Sequence, residues 1–200
     1  ARDAINQNEL RDAIQREAGQ RLEVITGDRE ADWAFSGVAS DPRLHSQPLL
    51  VMDIGGGSTE FIVGENGHRR AARSFQLGSV RLLEKFRPSD PPTTQERENS
   101  LGWLRSFLAE QVLPFLKENL GAQNSVLVST GGTASILARM KLKLATYDRE
   151  KIEGLELSAA ELADVTRRLW STKLEDRKRI PGLPGSRDRK STRLNSSHRT

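Results

Sequence analysis

Apolar positions recur along this chain with two different periods, and the switches between them outline alternating helices and strands. Leu10, Ile14 and Ala18 share one helical face, with Ala13 beside them and Gly19 as a C-terminal stop. "RLEVIT" alternates as a short strand over residues 22–26, and Gly27-Asp28 offers a turn and N-cap for a helix over residues 29–37. Residues 40–48 read as loop. The continuous apolar run Leu49–Ile54 has the character of a strand buried on both faces. Residues 60–64 form a second strand, Asn66-Gly67 a type I′ hairpin turn, and "HRRAARSFQL" the returning strand.

Beyond that hairpin, residues 78–86 read as a short helix and "RPSDPP" as a break. Thr93 and Glu96 make a capping box for a helix whose stripe is Leu101, Leu104, Leu108, Val112 and Phe115, with a kink or break expected near Pro114. "SVLVST" is a strand, Gly131-Gly132 a tight turn and "TASILARMK" a helix. Residues 158–170 form an amphipathic helix capped by Ser158, and "RIPGLPGS" is loop. No internal repeat is present, and the alternation of strands with helices places the chain in the α/β class.

Composition narrows the picture. With 36% hydrophobic and 29% charged residues the chain suits a globular domain, and no apolar run approaches the ~18 residues of a membrane span. Stable membrane insertion is therefore not expected. No signal-peptide core opens the chain and there is no cysteine, which fits a reducing, cytoplasmic compartment. The net charge of +4 invites a nucleic-acid reading, but the last thirteen residues, "DRKSTRLNSSHRT", carry four Lys/Arg and one Asp. Without them 27 basic residues face 26 acidic ones, so the excess sits in a polar, Ser-rich tail expected to be disordered. That tail resembles a translated cloning adaptor. Nucleic acid is not an expected partner.

The candidate chemistry lies in "LVMDIGGGSTEFIVGENG". An apolar strand fixes Asp53 at its end, where a sheet opens into a crevice. Gly55, Gly56 and Gly57 lack a Cβ, so their backbone can take positive φ and approach an anion closely. Their N–H groups can form a concavity for phosphate oxygens, to which Ser58 and Thr59 add hydroxyl donors. Glu60 follows on the next strand, and two carboxylates flanking such a loop suit a hard divalent ion such as Mg2+. "STGGTAS" repeats the plan: a strand, then Gly131-Gly132, then Thr133 opening a helix whose N-terminus attracts anions. His45, His68 and His198 share no metal-ligand spacing and are expected to be solvated. Arg69, Arg70, Arg73 and Arg81 are candidates to line a path for a polyanion. Trp33, Trp103 and Trp170 are expected in the core or at a domain contact.

"VMDIGGGSTEFIVG", "SFQLGSVRL", "STGGTASILARM" and "RIPGLPGSR", in this order and spacing, resemble the exopolyphosphatase / guanosine pentaphosphate phosphohydrolase (Ppx/GppA) family. The resemblance runs from Ala1 to about Ser186. It implies an actin-like ATPase (ribonuclease H-like) fold with catalysis in an interdomain cleft. On that frame residues 1–38 are the end of a first actin-like domain, 39–186 most of a second, and 187–200 a foreign tail. The family's Asp-x-Gly-Ser loop has no match, so the chain reads as an internal fragment expected to be inactive alone, with part of the helical face at residues 8–18 uncovered.

The resemblance also implies a catalytic base. The family turn Ser/Thr-Gly-x-Glu-Glu-Ala corresponds to "TGDREA", which makes Glu30 the general base and puts Arg29 where the family has an acidic residue. A guanidinium beside Glu30 is expected to favour the ionised carboxylate. The implied function is Mg2+-dependent release of the terminal phosphate from inorganic polyphosphate or guanosine pentaphosphate, and a homodimer is compatible with it. Two alternatives stay open: an actin-like ATPase or sugar kinase, and a non-catalytic sensor of nucleotide or polyphosphate.

Overall fold

The structure, a computed structural model, describes residues 7–121 and 124–184. Helix α1 covers Gln7–Ala18 and ends at Gly19, whose φ of +62° is the left-handed stop a glycine supplies. Leu10 on its apolar face is half exposed. The strand expected over residues 22–26 does not form: this stretch has no regular secondary structure and joins no sheet, and Val24 is exposed. Alternation provides a face, whereas a strand also needs a partner edge. Helix α2 then runs over Gly27–Ala39, two residues earlier than the pattern suggested, because Thr26 rather than Asp28 is its N-cap and accepts from the Arg29 N–H.

Among the described residues, four strands form one sheet in the order β3-β2-β1-β4. They are β1 (Leu49–Ile54), β2 (Thr59–Glu65), β3 (His68–Phe75) and β4 (Val126–Thr130). The first three make an antiparallel meander, turned at Asn66 and Gly67, which take φ of 52° and 74° as a type I′ turn requires. β4 pairs parallel to β1. Alternate residues of the sheet fill two cores. On one face Leu49, Val51 and Ile62 pack with Ala31, Phe35 and Ala39 of α2. The boundary expected after residue 38 thus falls within a helix that shares the sheet's core. Gly64 lets this helix in, since a Cβ there would overlap the ring of the fully buried Phe35.

On the other face Phe61, Val63 and Phe75 pack with Val112 and Phe115. Helix α3 (Ser79–Phe86) precedes a long helical segment: α4 (Thr94–Phe107), a π-helical turn (Leu108–Val112) and α5 (Leu113–Asn119). The capping box of Thr93 and Glu96 is present, and the break lies just ahead of Pro114, where the ring removes a backbone donor. Trp103 packs in this core against Phe86 and Phe107. Trp33, expected in the core or at a domain contact, lies outside the core, exposed on α2 under the Arg29 guanidinium.

Helix α6 (Gly131–Leu142) follows β4 directly, so Gly131-Gly132 is its first turn rather than a separate one. The short helix α7 (Arg149–Ile152), absent from the sequence reading, leads to α8 (Ala159–Ser171), capped by Ser158 and Glu161 as expected. Another short helix, α9 (Leu174–Arg177), is tied down by Asp90, whose carboxylate accepts from the Leu174 N–H. The tail from residue 187 and His198 lie outside the described residues.

Candidate active site

Strand register builds the site. Leu49 and Val51 point at α2, and so does Asp53, two residues further along β1. Asp53 sits opposite Glu60 of β2, Glu60 opposite Ser74 of β3, and Thr130 of β4 beside Asp53. A polar row, Ser74–Glu60–Asp53–Thr130, therefore crosses all four strands on the α2 face. The row beneath it, Ala72–Ile62–Val51–Val128, belongs wholly to the apolar cluster. One face of one sheet changes from core to chemistry within two residues.

Each member of the row is placed by its neighbours. Glu60 is 8% exposed, and its Oε1 accepts hydroxyl bonds from Ser58 and Ser74, both at 2.7 Å. Asp53 is half-buried, and its pKa is raised first by that burial, then by the charges of Glu60 and Glu30. The carboxylate of Glu30, in the first turn of α2, is thus close enough to act on Asp53. Arg29 turns away from its neighbour: its guanidinium pairs with Glu23 at 3.0 Å and lies 5.0 Å above the Trp33 ring. Thr59 is 3% exposed and donates its hydroxyl to the Leu77 carbonyl, a bond that locks the strand. The Thr130 hydroxyl is buried and has no hydrogen-bond partner among the described residues.

The glycine turn works by close contact rather than by unusual torsion, because none of Gly55, Gly56 and Gly57 takes a left-handed φ. A Cβ on Gly55 would press on the Ser58 carbonyl and one on Gly56 on Val80, while Gly57 has open space around it. The turn's carbonyls face the start of α3. Gly55 O accepts from the Ser79 N–H at 3.1 Å, and Gly56 O accepts from the N–H groups of Val80 and Arg81 at 2.8 and 3.2 Å. Gly78 makes this possible, since a Cβ there would overlap the Gly56 carbonyl. This is the physical content of the "LGSVR" stretch. Gly78→Ala is expected to cost about 1–3 kcal/mol through overpacking against the Gly56 carbonyl, read as a lower Tm in scanning calorimetry.

The second turn abuts the first. Gly131 takes φ +83°, and a Cβ on it would overlap Oδ1 of Asp53, so the Asp53 carboxylate lies against the start of α6. Gly132 is exposed beside it, and the Thr133 hydroxyl lies 3.5 Å from the Ile54 carbonyl. Among the described residues no three acidic, His or Cys side chains converge closely enough to hold a metal by themselves. The donor set still fits a hard divalent ion, because Asp53 and Glu60 carry adjacent negative charge and Thr130 keeps an unused oxygen. Mg2+ takes few protein carboxylates and completes its shell with water and substrate oxygens.

Of the four arginines, Arg69 bridges Asp28 and Asp32 of α2, and Arg73 lies over Phe75 and Phe115. Arg70 lines a cleft with Pro48 and Gly121 at the opposite end of β1, and Arg81 reaches the glycine turn. His45 and His68 are exposed, as expected; His45 also donates from Nδ1 to the Ala39 carbonyl at 3.1 Å and lies against Gly67. Sequence reasoning missed Ser74, Gly78 and Thr130, whose roles depend on cross-strand and turn contacts. Only the register of the hairpin could have pointed to Ser74.

The chain resembles known proteins along most of its length. It is 33% identical over 171 residues to exopolyphosphatase 2 of Mycobacterium tuberculosis, covering 85% of this chain and 52% of that protein. It is 32% identical over 159 residues to the guanosine-5'-triphosphate,3'-diphosphate pyrophosphatase of Vibrio campbellii, covering 71% of this chain and 32% of that protein. The crystal structure of the Aquifex aeolicus Ppx/GppA family member superposes with a TM-score of 0.75 at 28% identity, covering 92% of this chain and 57% of that one. The chain thus spans about half or less of the length of these curated relatives. Its mixed sheet and flanking helices are those of the actin-like ATPase fold. The family match extends over residues 1–194, and the chain belongs to the Ppx/GppA phosphatase family.

Proposed function

We propose that this chain forms part of a Mg2+-dependent phosphoanhydride hydrolase that releases the terminal phosphate of inorganic polyphosphate or of guanosine pentaphosphate, in the cytoplasm. The observation that carries the reading is the meeting of Asp53, Glu60 and the Glu30 charge beside two glycine turns. The names of the relatives point to the same chemistry.

Glu30 takes a proton from a water aligned with the terminal phosphorus as the water oxygen bonds to that phosphorus, and the anhydride P–O bond breaks so that the shortened chain leaves with the bridging oxygen. Gly55 gives its N–H to the Ser58 carbonyl, so the N–H groups of Gly56 and Gly57, with the N-terminus of α6, receive the charge that gathers on the phosphoryl oxygens. Ser58 and Ser74 hold Glu60 in one orientation through their bonds to Oε1, so its other oxygen is positioned before any ion arrives. Asp53 and Glu60 would hold a divalent ion, which when bound would neutralise charge on the anhydride tail.

Phosphate release from long-chain polyphosphate and from guanosine pentaphosphate, measured with Mg2+ on the complete enzyme of which this chain is proposed to form part, tests the reading. Stepwise release of orthophosphate from either is expected. Tight binding of both without release, or transfer from ATP to a sugar, overturns it.

A further inference from the structure

The glycine turn lies beside a cation that the mechanism above does not use. Arg81, in the first turn of α3, folds back so that its Nε donates to the Gly57 carbonyl at 3.0 Å and one Nη2 hydrogen to Oε1 of Gln76 at 2.5 Å. Both acceptors are neutral. No carboxylate pairs with this guanidinium among the described residues, in contrast to Arg69, which is held by Asp28 and Asp32. A guanidinium carries five N–H donors. Fixing Nε and one Nη2 hydrogen spends a single edge and leaves three donors at the end of the fork, on an exposed side chain.

The neighbouring helix terminus does not compete for an anion. The first N–H groups of α3 are taken by the carbonyls of Gly55 and Gly56. With those N–H groups taken, Arg81 is the cation that the described residues bring to the glycine turn on this side. Across the turn stand Asp53, Glu60 and Glu30, whose charges oppose the approach of a polyanion.

We propose that Arg81 binds the phosphoryl group next to the one seated in the glycine turn, and so favours ligands with two or more consecutive anhydrides. The assignment rests on the hydrolase reading for the position of the terminal phosphate. Planar guanidinium donors match phosphoryl oxygens in pairs, which a lysine cannot reproduce from a single ammonium. Gln76 and the Gly57 carbonyl hold the side chain in place before the ligand arrives, which limits the entropy lost on binding.

Calorimetric binding of tripolyphosphate and of orthophosphate to the full chain, with Mg2+ and over a range of salt concentrations, tests this in Arg81→Ala, Arg81→Gln and Arg81→Lys. Ala and Gln are expected to weaken tripolyphosphate about tenfold or more and to flatten its salt dependence, with orthophosphate binding unchanged. Lys is expected to restore the salt dependence but not the full affinity. Equal tripolyphosphate affinity in all four proteins overturns the proposal. So does parallel loss of orthophosphate, which would make Arg81 a brace for the turn alone. If no protein releases phosphate yet the tripolyphosphate difference persists, the hydrolase reading falls and the Arg81 assignment stands.

Discussion

Glu30→Gln is expected to lower the rate of phosphate release by about 10²–10⁴-fold, the range a positioned general base contributes. The affinity for tripolyphosphate with Mg2+ should change little, because the amide keeps the size of the side chain and removes only its basicity. Glu30 lies in the first turn of α2, a helix anchored by Phe35 and Ala39 in the core, and those apolar anchors stay in place when the carboxylate becomes an amide. Its charge is also one of the three causes that raise the Asp53 pKa, so the neutral variant relieves repulsion rather than adding it. A Tm at or above that of the parent, together with single-turnover rates, separates lost chemistry from lost structure. Turnover within threefold of the parent would remove Glu30 from the mechanism.

Asp53→Asn is expected to stabilise the metal-free protein and abolish its response to Mg2+. Burial and two neighbouring negative charges hold the Asp53 pKa above its ordinary 3.8. An aspartate harder to ionise in the folded state subtracts stability as pH rises from about 3.8 through its raised value, because the unfolded chain releases the proton first. Asparagine removes that loss at neutral pH. The group is only half-buried and solvent screens part of the effect, so the gain is small, a Tm rise on the order of 2–4 °C for about 1 kcal/mol. Scanning calorimetry from pH 4 to 8 (a range set by the 3.8 reference), with and without Mg2+, reads both effects. The parent should gain Tm with Mg2+ and the variant should not. A variant less stable than the parent without metal would show that the carboxylate braces the turn instead of straining it.

Much of this site was legible because a hairpin obeys simple register rules. A four-residue turn, Gly55 to Ser58, places Asp53 opposite Glu60 once both flanking runs are strands. The run Leu49–Ile54 is apolar without alternation, so the face the two carboxylates share became visible only in the packing of Leu49 and Val51 on α2. What stayed hidden was set by contacts distant in sequence. Gly78 is needed because Gly56 comes to rest against it, and no local pattern reports that contact. Arg29 prefers Glu23 and Trp33 to the carboxylate beside it, a choice made by the unpaired segment before α2. That segment looked like a strand for the same reason: alternation is visible in a sequence and the absence of a partner is not. The glycine triplet was legible as a close-approach motif but not in its mechanism, which uses missing side chains and no left-handed torsion.

The polar row across the sheet ties correct folding to catalytic competence. Shifting β2 against β1 by one residue would bring Thr59 or Phe61 opposite Asp53 in place of Glu60, and would send the acidic side chain toward the aromatic cluster on the reverse face. An ionised carboxylate among Phe75, Phe115 and Leu77 is heavily penalised, so the same residues that would perform the reaction also proofread strand alignment during assembly.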